Sequence, residues 1–156
     1  MRMVVTLLVG VACVTAARAQ NSRDGEPPRR YGTHTDLDTY PQDNPQDTLK
    51  SVLLAIDRRR IDYLLAQLAD PDWVDKRVRT VHDGKFDDMV KETTEQLAQD
   101  PTAVKQLGGF LKDGDWKEDG DRASAQLKGV KERVYFRKFG KRWYFENQQK
   151  PPVEAR

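Results

Sequence analysis

Cysteine occurs once, at Cys13, and histidine twice, at His34 and His82. A lone cysteine closes no intrachain disulfide, and so few soft ligands leave only carboxylates for a metal, so neither a disulfide framework nor a zinc site is expected. The chain also lacks a phosphate-cradling glycine loop and a serine nucleophile elbow. The stretch "DGDWKEDGDR" (113–122) has the acidity of a calcium loop but not its twelve-residue ligand spacing with a closing glutamate, and its Asp-Gly steps read as turns. No cofactor and no metal are expected.

Long apolar runs are equally scarce. The only one opens the chain, in "MRMVVTLLVGVACVTAARAQ", where Arg2 precedes an apolar core and small residues Ala17 and Ala19 flank Arg18. This is the pattern of a signal peptide over residues 1–19, cleaved after Ala19, and it is too short before Arg18 for a membrane anchor. Lipid attachment at Cys13 is disfavoured because Gly10 stands where a large aliphatic residue is preferred. The expected destination is the periplasm or the exterior, with no integral membrane segment left after cleavage.

Basic excess is missing as well. Of the 27 basic residues, Arg2 and Arg18 fall within the first 19, which hold no acid, so the remainder carries 25 of each sign. Nucleic-acid binding draws most of its affinity from clustered positive charge, so no nucleic-acid partner is expected.

Residues 20–44 are polar, rich in Pro, Asp, Thr and Gly, and have no run able to bury a face; they read as a disordered tether, and residues 148–156 as a disordered tail. One domain is left, over 45–147, a length that supports a single core. Its first helix has Asn44 as N-cap, Pro45 at the first helical position and a stripe of Leu49, Val52, Leu53 and Ile56. Arg58, Arg59 and Arg60 close it, where positive charge offsets the macrodipole; the competing reading is an anion site. Asp62 is placed as cap of a short second helix and Asp70, before Pro71, as cap of a third. A further helix carries Phe86, Met89, Val90, Thr93 and Leu97 on one side, and another starts at Pro101.

After Gly114 the hydrophobic period changes from 3.6 to two. Asp119-Gly120 signals a hairpin, followed by Ala123, Ala125 and Leu127 alternating with polar residues. The segment 131–148 holds six aromatic and six basic side chains. A turn centred on Phe139-Gly140 pairs Phe136 with Trp143, Val134 with Phe145, Tyr135 with Tyr144 and Arg133 with Glu146, giving an apolar face and a wet face; an odd loop mixes the two. Helices first and antiparallel strands last define an α+β fold, with helices packed on a curved antiparallel sheet.

The helical stretch 45–73, the strand "GDRASAQLKG" and the closing "VYFRKFGKRWYFEN" resemble the cone-shaped domains of the nuclear transport factor two and ketosteroid isomerase superfamily, in its small exported bacterial branch. The resemblance implies a curved sheet wrapped around helices with a pocket at the open end, and it transfers no catalytic residue. Binding modules and enzymes share such folds, so function must come from side chains. The expected function is an exported, non-enzymatic domain that holds a small apolar or amphipathic ligand or self-associates through its sheet. The alternative is a cofactor-free lyase or isomerase, for which Asp62, Asp75, Tyr63 and Tyr135 supply carboxylates and phenols. Candidate pocket or interaction residues are Tyr63, Trp73, His82, Trp116, Tyr135, Trp143 and Tyr144; His82 is also the domain's one candidate general base, although a turn histidine usually has a structural part.

Overall fold

A computed structural model describes residues 29–146; the segment 1–19 read as a signal peptide, residues 20–28 and the tail from 147 onward lie outside the described residues. A short hairpin, β1 (Arg29–Arg30) and β2 (Thr33–His34), precedes five helices: α1 (Pro45–Asp57), α2 (Ile61–Tyr63), α3 (Pro71–Val81), α4 (Phe86–Gln99) and α5 (Pro101–Asp113). Between α2 and α3, Leu64–Leu68 form a π-helical turn. Strands β3 (Asp115–Asp119), β4 (Arg122–Gln126), β5 (Arg133–Phe139) and β6 (Arg142–Glu146) follow as an antiparallel meander in sequence order. The architecture is α+β.

Local chemistry starts the helices where expected. Asn44 Oδ1 accepts the Asp47 amide, Asp70 Oδ1 accepts those of Asp72 and Trp73, and Asp100 Oδ1 accepts that of Ala103, each cap being followed by proline at the first helical position. Asp62 is not a cap. It lies in the first turn of α2, after Arg60, and takes a forked bond from that guanidinium, with both contacts at 2.9 Å. The leucine-rich segment after it is not α-helical throughout. The Ala69 amide reaches back to Leu64 O, and all five residues of the π turn are buried, Gln67 among them.

The inner face of the sheet packs on α1 and α5. Leu49 and Phe110 meet Ala123, Ala125, Val134, Phe136 and Trp143 in one dry cluster, bordered by Leu53, Leu107 and Trp116. A second cluster joins Val52 and Ala55 of α1 to the π turn, Val74, Val78, Phe86 and Met89.

The sequence places the turn of the last hairpin one residue early. The connection is Gly140-Lys141, with pairs Phe139↔Arg142, Lys138↔Trp143, Arg137↔Tyr144, Phe136↔Phe145 and Tyr135↔Glu146. Gly140 has φ 59° and Lys141 a negative φ, the sign pattern of a type II′ turn, which requires glycine first rather than second. Gly120, φ 61°, does the same before Asp121 in the β3–β4 connection. The loop is even, as the alternation demands, so each side chain keeps its expected face while its partner shifts by two.

Residues 29–44 are not a tether. Thr33, Thr35, Tyr40 and Gln42 are buried in the domain. Gln42 Nε2 donates to Gln67 O at 3.0 Å and to Trp143 O at 2.7 Å, and the Trp143 amide donates to Gln42 O. No apolar stripe marks this segment, because it is held by hydrogen bonds of buried polar groups and by two single aromatic stacks, Tyr31 on Phe86 and Tyr40 on Tyr63.

Candidate functional site

The end of α1 sets the site. Its C-cap is Arg58; the Arg60 amide bonds to Ala55 O at 2.8 Å and the Arg59 amide to Ile56 O at 3.0 Å. These are the paired 6→1 and 5→2 bonds of a Schellman ending, in which the residue after the cap is left-handed and is ordinarily glycine. Here it is Arg59, with φ 56°. A Cβ in that conformation costs on the order of 1–2 kcal/mol. The bend carries the exposed Arg59 side chain to the rim of a half-open cleft of about 370 Å³ between the end of α1, α2 and α4, lined by Ile56, Arg59, Ile61, Thr94, Leu97 and Ala98. Ile61 is buried, and Ile56 and Leu97 are half-buried. Thr94 Oγ1 is turned to Val90 O at 2.7 Å. The Arg59 side chain makes no hydrogen bond or ion pair among the described residues, unlike that of Arg60, which is clamped on Asp62 and lies over the Tyr63 ring.

The residues singled out from the sequence do not converge on one pocket. Tyr63 is buried, stacks on Tyr40 with ring centroids 4.3 Å apart, and accepts the Asp36 amide at 2.9 Å, so it fastens the N-terminal segment. His82 Nε2 lies 3.1 Å from Glu92 Oε2 without an aligned hydrogen bond, while Glu92 Oε1 accepts from Arg77; the histidine braces α3 against α4. Trp73 borders a separate shallow cleft with Arg77 and Val81, and Trp116 another beside Pro45 and Glu118. Trp143 is core, 1% exposed.

Tyr135 and Tyr144 correct the expected wet face, for both are buried, as is Glu146. Arg142 on this face donates to Thr35 Oγ1 and Gln67 Oε1, and Tyr144 meets Phe139 edge-on. Arg137 contacts Asp72 at 3.4 Å and Asp70 at 4.0 Å. Burial pushes the Glu146 carboxyl above its usual range, against the pull of Arg122 and Arg137 and with the push of Asp70 and Asp121; it has no hydrogen-bond or ion-pair partner among the described residues. Of the other acid and phenol candidates, Asp62 is spent on Arg60 and Asp75 on Arg30 and Tyr31. Among the described residues no group of three metal-ligating side chains converges, and no helix is long and apolar enough to cross a membrane.

What the sequence reading missed is Arg59 as a separate actor within the triplet. The signal was there as an omission: α1 stops without the Gly or Asn that a left-handed ending favours. Comparison with protein-family models, curated proteins and solved structures finds no match to this chain.

Proposed function

We propose that the chain is an exported binding domain that takes a small ligand with apolar surface in the cleft between α1, α2 and α4. Arg59 supports the reading: strained backbone conformations cluster where a side chain is needed in a particular place, and this one brings a long, unpaired cation to an aliphatic cleft. The volume, about 370 Å³, is at the small end of the ~300–1,000 Å³ usual for ligand sites. The resemblance to the cone superfamily belongs to the same proposal, supported by helices that precede an antiparallel sheet. Titration with decanol below its solubility limit, followed by methyl NMR, is expected to move Ile56, Ile61 and Leu97, and Leu97→Lys is expected to abolish the response. Shifts confined to other residues, or none, would sink the reading. Export is checked separately, by finding the processed chain beginning at Gln20 outside the cytoplasm.

A second reading, the cofactor-free lyase or isomerase, rests on Glu146, a buried carboxyl paired across strands with Tyr135. Its mark is a pH-dependent turnover lost in Glu146→Gln with the fold intact.

A further inference from the structure

We infer that the ligand of the α1–α4 cleft is an amphipathic monoanion, an aliphatic body with one carboxylate-like head, and that Arg59 is the residue that selects the head. The inference rests on the binding reading above and adds the charge.

Three observations carry it. The cleft walls offer Ile56, Ile61, Leu97 and Ala98 to an aliphatic body, and the one charged side chain among the lining residues is Arg59. A guanidinium presents a planar fork of donors that matches a carboxylate in a bidentate way, which a lysine at the same place does not. Arg59 is also the only member of its triplet that lines the cleft. Arg60 is committed to Asp62, and Arg58, at the cap, does not line the cleft.

The backbone argument sharpens this. If Arg59 served only to end α1, glycine would do so with less strain, because the Schellman bonds are made by the amides of residues 59 and 60 and not by the side chain. Positive charge near the last carbonyls is already supplied by its two neighbours in the triplet. The side chain at residue 59 therefore carries a requirement that helix termination does not impose.

The experiment uses the purified chain from Gln20 and two probes of one chain length, decanoate and decanol, each below its aggregation limit, measured by calorimetry against the parent, Arg59→Gly and Arg59→Lys. The parent is expected to bind decanoate more tightly than decanol. Arg59→Gly is expected to raise the melting temperature by roughly 2–8 °C, through relief of the left-handed strain, while weakening decanoate about tenfold and leaving decanol unchanged. Arg59→Lys is expected to retain part of the preference. Equal affinities for the two probes in the parent, or an unchanged ratio in Arg59→Gly, would overturn the charge assignment and leave the apolar cleft standing. Binding of neither probe would overturn the cleft itself. A lower melting temperature for Arg59→Gly would show that the side chain stabilises the fold and that strain is no guide to its function.

Discussion

The two faces of the β5–β6 hairpin are both buried, by opposite chemistry. On one, Phe136, Trp143 and Phe145 join the dry cluster with Leu49 and Phe110. On the other, Arg142 reaches Thr35 and Gln67, Tyr144 lies against Phe139, and Glu146 sits without a partner among the described residues. The first face is held by area removed from water, roughly additive and tolerant of detail. The second is held by matched donors and acceptors, where loss of one partner leaves another stranded. The same strand therefore responds to mutation by two different rules.

Trp143→Ala tests the dry face and is expected to give the largest effect. The side chain is 1% exposed, and its removal should cost about 3–5 kcal/mol, a large part of the roughly 5–15 kcal/mol that holds a domain together. Denaturant unfolding measures it. Tyr144→Ala sharpens the comparison, since a tyrosine on a wet face changes stability by only about 0.5 kcal/mol, whereas the buried Tyr144 is expected to cost several times that. Near-neutrality of Tyr144→Ala would restore the wet face.

Gln67→Leu tests the polar side at similar side-chain volume. Gln67 Nε2 donates to Thr33 O at 2.7 Å, Oε1 accepts from Thr35 Oγ1 at 2.9 Å, and Arg142 approaches the same oxygen at 3.4 Å. Leucine retains the packing and strands these groups, for an expected loss of about 1–3 kcal/mol. It should also free the N-terminal segment, read as faster amide exchange at Tyr40 and Gln42. A stabilised variant with unchanged exchange would mean that the Gln67 side chain is dispensable and that the segment is held by Tyr40 on Tyr63 and by the bonds of Gln42 and Asp36.

The division between the faces is also the division between what the sequence discloses and what it conceals. Helix starts are legible because a cap and a following proline act within four residues: Asn44-Pro45, Asp70-Pro71 and Asp100-Pro101 all hold. The dry face is legible because alternation with period two survives an error in the turn. The cross-strand partners lie two residues from those the alternation predicts because Gly140 serves as the first turn residue and not the second. Residues 29–44 were illegible because Thr33, Thr35 and Gln42 look the same in a loop and in a buried layer, and only their distant partners distinguish the two. The π turn is hidden for a related reason: its buried Gln67 breaks the apolar run only to receive Thr33 and Thr35, thirty residues earlier in rough count. Of the cleft, the apolar members Ile56 and Leu97 belonged to visible stripes, whereas the left-handed Arg59 follows from the backbone alone.

Glu146→Gln gives the smallest expected effect and separates the polar face into its neutral and charged parts. Burial raises the folded-state pKa of this carboxyl above its unfolded value. Between those two values the folded chain binds more protons than the unfolded one, so stability falls as pH rises through that window. The charged carboxylate is then a burden above the window and none below it. Glutamine carries no such burden, so the variant is expected to melt above the parent at pH 7, with the difference closing as pH falls below about 4.3, the ordinary glutamate value. Melting curves of both proteins across that range measure it. A variant that melts below the parent at pH 7 would mean that attraction from Arg122 and Arg137 outweighs desolvation, making Glu146 an ion-pairing residue of a stabilised network. That outcome would also remove the perturbed acid on which the enzymatic reading depends, and leave the helix-layer cleft, where the unpaired Arg59 meets Ile56, Ile61 and Leu97, as the candidate site.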